Sequence, residues 1–160
     1  MKELVNFLAF EVDGSKVTNE EEIPVMQLNN RYQTSSLRGL EEVNLFNRIS
    51  KVLDEDQIYL DPDLSLKKMA ETVDTNTKYL SQVINRFSAC NFLTFINNFR
   101  IESVKKRINN GDHRELTFYG VAQECGFKNK STFYKVFRDH TGMTPSVYSR
   151  QHFKESKSKI

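Results

Sequence analysis

Thr117-Phe118-Tyr119-Gly120-Val121-Ala122-Gln123-Glu124-Cys125-Gly126-Phe127, running through Lys128 into Asn129-Lys130-Ser131-Thr132-Phe133-Tyr134-Lys135-Val136-Phe137, repeats a pattern the chain has already used once. Ser65, Leu66, Met69, Ala70 and Val73 precede Thr117, Phe118, Val121, Ala122 and Cys125 by 52 positions. Asn76, Leu80, Val83 and Ile84 precede Asn129, Phe133, Val136 and Phe137 by 53. The additional residue of the second copy falls in its turn.

Each repeated position has a physical role. Ser65 and Thr117 are suited to cap a helix start with a side-chain oxygen, and the apolar residues that follow at i, i+3, i+4 and i+7 give a short scaffold helix one buried stripe. Asn76 and Asn129 are expected to cap a second helix, with Leu80, Val83, Ile84 and Phe87 inward in one copy and Phe133, Val136 and Phe137 in the other. The turn between is too short for anything but a sharp corner. Gly126 suits the left-handed exit from the scaffold helix and Phe127 the plug of the corner. Gly142 is expected to end the second long helix, after which Thr144 caps and Pro145 opens a short helix through Tyr148.

The outward faces carry the functional signal. Lys78, Ser81, Gln82 and Asn85 lie opposite the core in the first copy, and Ser131, Tyr134, Lys135 and Arg138 in the second, with Thr77 and Lys130 at the amino ends. Neither face holds a carboxylate. Amides pair with adenine, Lys and Arg donate to guanine or phosphate, and hydroxyls suit either, so both faces fit a helix-turn-helix reader in a major groove. An ordinary solvated face has a similar composition, and one copy alone does not separate the two readings. Two copies in the same phase favour recognition. Ser65, Lys67, Lys68, Thr117 and Lys128 are candidate phosphate contacts.

Charge is divided unevenly. The whole chain has 23 Lys or Arg and 21 Asp or Glu, a net +2. Residues 1–63 hold 6 basic against 13 acidic side chains, a net −7, and residues 64–160 hold 17 against 8, a net +9. The basic part suits a polyanion, because neutralised phosphates release counterions; the acidic part is expected to face away from it.

The stretch between the copies reads as a linking helix whose apolar face changes side. Phe92, Phe95, Ile96 and Phe99 share one stripe, and Ile101, Val104 and Ile108 lie about 180° round the helix. One end is therefore expected to pack on each unit, with Gly111 as the stop. A bundle-core helix with one broad apolar face is the alternative. Its roughly 27 Å is a suitable strut for readers in successive major grooves about 34 Å apart.

Gly126-Phe127, then Ser131, Phe133, Val136 and Phe137, then His140-Thr141-Gly142-Met143-Thr144-Pro145-Ser146-Val147-Tyr148 resemble the carboxyl-terminal signature of the AraC-type (AraC/XylS) transcriptional regulators. Tyr79-Leu80-Ser81-Gln82-Val83-Ile84-Asn85 and Arg100-Ile101-Glu102 are similar to that family's first reader and linking helix. The resemblance covers about residues 60–152. It implies a sequence-specific regulator of transcription that binds double-stranded DNA and counts RNA polymerase among its partners. Two positions depart from the pattern: Ala89 stands where the first unit usually ends in Gly, and Gly120 lies inside the second scaffold helix.

The expectation is an all-α fold of two helix-turn-helix subdomains joined by a long central helix, with an amino-terminal connector and an extra amphipathic helix. Residues 1–57 are the connector and 58–152 the DNA-binding domain, leaving 153–160 as a flexible tail. Residues 40–56 read as the amphipathic helix, with Val43, Phe46, Ile49, Val52 and Leu53 inward, packing on the first unit in preference to self-association. A homodimer, if one forms, is expected through this amino-terminal region. Residues 11–30 read as linker or loop, with Asp13-Gly14 as an alternative hairpin turn. Arg31-Tyr32-Gln33-Thr34-Ser35-Ser36-Leu37 resembles the connector of AraC-type regulators whose sensor is in or across a membrane.

Several classes are disfavoured. No phosphate-cradling Gly loop, nucleophile motif or carboxylate pair suggests an enzyme. Cys90 and Cys125 make no disulfide framework, and the three histidines have no ligand spacing, so neither metal nor cofactor is expected. His140 reads as a helix-end group. The apolar run Leu4–Phe10 is too short to span a bilayer, and a reducing, cytoplasmic setting is expected, with any upstream sensor region free to be membrane-embedded. The rival reading is a helical adaptor whose basic face binds RNA or an acidic protein.

Overall fold

The central helix changes its buried face halfway along, and two separate cores form around its two ends. The computed structural model describes residues 25–157, with side chains described for 38–152. The order is α1 (Val25–Asp54), a 3-10 turn (Ile58–Leu60), α2 (Leu66–Thr72), α3 (Thr77–Ser88), α4 (Phe92–Asn110), a second 3-10 turn (Asp112–Arg114), α5 (Phe118–Glu124), α6 (Lys130–Thr141) and α7 (Pro145–Lys157). No strand occurs among the described residues. Leu4–Phe10 and the Asp13-Gly14 turn lie outside them.

Phe95 and Ile96 of α4 join a first core with Leu45, Phe46, Ile49 and Leu53 of α1, Met69 and Ala70 of α2, and Leu80, Val83 and Ile84 of α3. Ile101, Val104 and Ile108 join a second with Val121 and Ala122 of α5, Phe127, Phe133, Phe137 and Tyr148. Each Val, Leu, Ile, Phe or Met side chain among these adds roughly 1.5–3 kcal/mol when fully buried. Leu60 packs against both clusters. The all-α architecture with two helix-turn-helix units on one strut is the observed fold, and the broad-faced bundle helix is not.

The amino-terminal helix differs from expectation in extent and phase. It begins at Val25, so the stretch from 25 to 30, read as loop, is helical, as is Arg31–Leu37. Polar Gln27, Asn29 and Asn30 hide the helix from an apolar-period reading, but no proline occurs between Pro24 and Pro62 to interrupt it. Leu45, at 1% exposure, takes the inward place expected for Val43, which is 42% exposed. By 100° per residue, Val43 lies about 100° from the centre of the buried stripe. Val52 is half-buried. Because α1 shares the first core, a boundary between 57 and 58 cuts through one packed cluster. At the other terminus α7 runs through Lys157, beyond the expected stop at Tyr148 and into the supposed tail.

The two scaffold helices end in the same hydrogen-bonded exit. Thr75 N donates to Ala70 O at 2.9 Å and Asp74 N to Glu71 O at 3.3 Å; Phe127 N donates to Ala122 O and Gly126 N to Gln123 O, both at 3.0 Å. This Schellman pattern places the intervening residue in the left-handed region, Asp74 at φ 49° and Gly126 at φ 91°. Asp tolerates that region through its short polar side chain. Gly126 has a further constraint: a Cβ there would sit 2.6 Å from Tyr59 O, 2.8 Å from Arg100 Nε and 3.0 Å from Leu60 O. Ala89 itself adopts the left-handed cap at φ 53°, donating from its N–H to Asn85 O at 2.9 Å, so α3 ends as a glycine would end it, with some backbone strain. Gly111 (φ 94°) and Gly142 (φ 73°) close α4 and α6 as expected.

Asp74→Gly should therefore change stability by less than about 1 kcal/mol, since relief of strain offsets glycine's chain entropy. Gly126→Ala should cost at least about 2 kcal/mol from the same strain plus overpacking. Urea unfolding checks the pair, and equal effects would contradict the packing at Gly126.

Candidate nucleic-acid interface

The second helices of the two units, α3 and α6, have the same length and the same phase. Leu80, Val83 and Ile84 anchor α3, while Phe133 and Phe137 anchor α6, whose Val136 is half-buried. Thr77, Lys78, Gln82 and Asn85 are exposed on α3, and Ser81 is half-buried. Lys130, Ser131, Lys135 and Arg138 are exposed on α6; Tyr134 is half-buried because its ring packs edge-on to Phe133, centroids 4.9 Å apart. Among the described residues, Lys78, Lys130, Lys135 and Arg138 have no carboxylate partner within ion-pair distance. Their charge is available to an anion.

The candidate phosphate contacts are already engaged within the chain. Ser65 Oγ accepts from Lys68 N at 3.2 Å and Thr117 Oγ1 from Gly120 N at 2.9 Å, each capping its scaffold helix. Lys67 lies 3.9 Å from Glu71. Lys68 pairs with Asp61, and Lys128 with Asp63. The hydrogen bond from Lys68 holds the Asp61 carboxyl below its ordinary range and raises the proton affinity of Lys68 in turn. Thus two acidic residues of the amino-terminal part sit beside these lysines rather than away from them. A phosphate meeting Lys68 or Lys128 would exchange with a carboxylate.

The amino ends of α3 and α6 are held differently. Asn76 Oδ1 accepts from Tyr79 N at 2.9 Å. Asn129 occupies the equivalent place with extended backbone but makes no side-chain cap hydrogen bond, contrary to the expectation from the repeat. The turn before α6 is instead tied by Tyr119, whose hydroxyl donates to Lys128 O at 2.8 Å.

Sequence reasoning gave Arg100 no role. It is only 7% exposed, although it lies on a helix surface between the two cores. Its Nε donates to Tyr59 O at 2.7 Å and its Nη2 to Asp61 O at 2.8 Å, and its guanidinium lies 6.0 Å from the Phe127 ring centre. Burial lowers its proton affinity and the nearby Asp61 opposes the shift. The available signal was a cation at the position where the apolar stripe changes side. Nearer the other end of α4, Arg107 pairs with Asp112 at 2.6 Å and with Glu124, bracing α5. His140 approaches Glu102 at 3.8 Å, and burial lowers its pKa. Cys125 is buried, which raises its thiol pKa, and both cysteines are free. No three His, Cys, Asp or Glu side chains form a metal-binding group, and no helix is long and apolar enough to cross a membrane, among the described residues.

Comparison with known proteins agrees with this geometry. A family model described as a helix-turn-helix domain matches residues 69–151. The HTH-type transcriptional regulator YijO of Escherichia coli is 30% identical over 89 residues, which are 56% of this chain and 30% of YijO. Regulatory protein PocR of Salmonella typhimurium is 27% identical over 105 residues, 66% of this chain and 34% of PocR. The matched part thus spans about a third of each relative's length. The fold matches the carboxyl-terminal domain of the two-component response regulator yesN from Fusobacterium nucleatum with a TM-score of 0.57 at 24% identity, covering 66% of this chain and 98% of that one. It also matches the carboxyl-terminal domain of AraT, a response regulator from Geobacillus stearothermophilus, with a TM-score of 0.56 at 20% identity, covering 67% and 84%.

The unequal caps make a testable pair. Asn76→Ala should cost about 1 kcal/mol for the lost cap, whereas Asn129→Ala should stay within about 0.5 kcal/mol, as for a surface change. Equal losses in chemical unfolding would mean that Asn129 does cap α6.

Proposed function

The chain belongs to the helix-turn-helix family of AraC-type transcriptional regulators, and we propose that its two units bind double-stranded DNA, α3 and α6 each entering one of two successive major grooves. The observation that carries the reading is the pair of exposed, carboxylate-free faces in one phase, their cations unpaired among the described residues, on helices held by a single strut. Thr77, Lys78, Ser81, Gln82 and Asn85 form the first reading surface, and Lys130, Ser131, Tyr134, Lys135 and Arg138 the second. Ser65, Lys67, Lys68, Thr117 and Lys128 meet phosphates, Lys68 and Lys128 by leaving their carboxylates. The strut α4, with 19 residues, is about 28 Å long at 1.5 Å per residue, which suits segments about one helical turn apart.

PocR and YijO are regulators in which the matched part is about a third of the length; by the same arrangement, this domain delivers the output of a larger sensing protein. No catalytic step is assigned to it. Family membership favours duplex DNA over the adaptor reading.

Binding to duplex DNA should weaken with salt, log affinity falling linearly with log salt concentration. Gln82→Ala and Lys135→Ala should relax preference at a few base pairs in different segments, by about 1–3 kcal/mol each. Lys67→Ala should weaken all sequences alike. Selection from a random duplex pool checks this, and a purely general loss in the first two variants would reject the assigned faces.

One monomer should protect two patches about one helical turn apart, without an inverted repeat. Ser103→Pro, in the middle of α4, should uncouple them, because proline removes a helical hydrogen bond and clashes with the preceding turn, at roughly 3 kcal/mol. Footprinting at known stoichiometry reads both. One patch per monomer, or two unaltered patches in the variant, would defeat the single-strut reading.

A further inference from the structure

Arg100 lies where three parts of the chain meet. It projects from α4, its two donors engage the carbonyls of Tyr59 and Asp61 ahead of the first unit, and its guanidinium faces Phe127 in the turn of the second. On the same patch, Gly126 leaves no room for a Cβ against Tyr59 O, and Lys128 pairs with Asp63. Apart from α4 and Leu60, the two hydrophobic cores share no member.

We propose that Arg100 is a positioning residue for DNA recognition: its buried guanidinium locks the second unit against the 59–61 segment and so fixes the spacing and rotation at which α3 and α6 meet a duplex. The inference rests on the DNA-reading assignment and adds what sets its geometry. A single helix leaves each unit free to twist or tilt about its end of the strut. Fastening both units to one point beside the strut removes that freedom. The residue type fits the task, since Nε and a terminal nitrogen of one rigid plane reach two carbonyls at once, which a lysine ammonium on a flexible stem cannot reproduce. As filler the residue is a poor choice, because burying a cation on backbone carbonyls carries a desolvation cost that an apolar side chain of similar volume avoids. What the guanidinium adds over such a side chain is direction.

The test uses the full chain and a duplex selected from a random pool, then duplexes with one, two or five base pairs inserted between the two contacted segments, and duplexes keeping one segment only. Each inserted pair displaces one segment by about 3.4 Å and turns it by about 35°. The unmodified chain should lose about tenfold or more in affinity on one insertion, because one reader forfeits its base contacts. Arg100→Met, which keeps the stem and removes the donors, should bind single-segment duplexes like the unmodified chain, yet its spacing penalty should fall to about twofold. Arg100→Lys, which keeps the charge, should not restore the penalty. A folded Arg100→Met or Arg100→Lys chain with the original spacing profile overturns the proposal. So does an unmodified chain that accepts inserted pairs without loss, a result that needs no variant to fold. Binding without sequence preference at either segment would instead defeat the DNA-reading assignment, and this inference with it.

Discussion

A guanidinium buried between two hydrophobic cores is the constraint around which this molecule is organised. Arg100 sits between Phe99, which packs toward the first core, and Ile101, which is fully buried in the second. At that crossover neither apolar stripe covers the helix, and backbone carbonyls of Tyr59 and Asp61 close the gap through hydrogen bonds. A buried cation requires partners of fixed direction. The 3-10 turn that presents those carbonyls thereby acquires a defined place against α4, and Leu60 within it touches both cores.

The two copies of the motif differ where this joint presses on them. Their scaffold helices leave by the same hydrogen-bond pattern, yet the first copy uses Asp74 and the second Gly126 in the left-handed position. Only the second is backed by another backbone, so only there is a side chain excluded. The caps diverge in the same manner. Asn76 holds the start of α3 by its own side chain, whereas the approach to α6 is held by Tyr119 reaching over to Lys128 O. Repetition in sequence thus produced two units of one design with unequal internal supports.

Electrostatics follows the same division between local pattern and assembled structure. The carboxylates of Asp61 and Asp63 belong to the acidic part of the chain, but the joint brings them to Lys68 on α2 and Lys128 before α6. One short segment therefore neutralises a lysine of each unit. Lys78 of α3 and Lys130, Lys135 and Arg138 of α6 have no such partner among the described residues, which leaves uncompensated positive charge on the outward faces of both helices, while Arg86 of α3 pairs with Glu42.

Residue spacing at 3.6 per turn, with a few special residues such as Gly126, Gly142 and Pro145, is enough to place α3 and α6, the two corners and the division of α4 between two cores. It also identified the outward phase of α3 and α6, since a helix whose apolar stripe is known has its opposite face fixed. The choice of Leu45 over Val43 depends on the assembled molecule, for both are apolar and only the angle at which α1 meets the first unit selects between them. The full length of α1 belongs there as well, since Gln27, Asn29 and Asn30 carry no apolar period to reveal it. So does the role of Arg100. Its partners are main-chain oxygens about 40 positions away, and a carbonyl group is the same in every residue, so no sequence pattern records where one is needed.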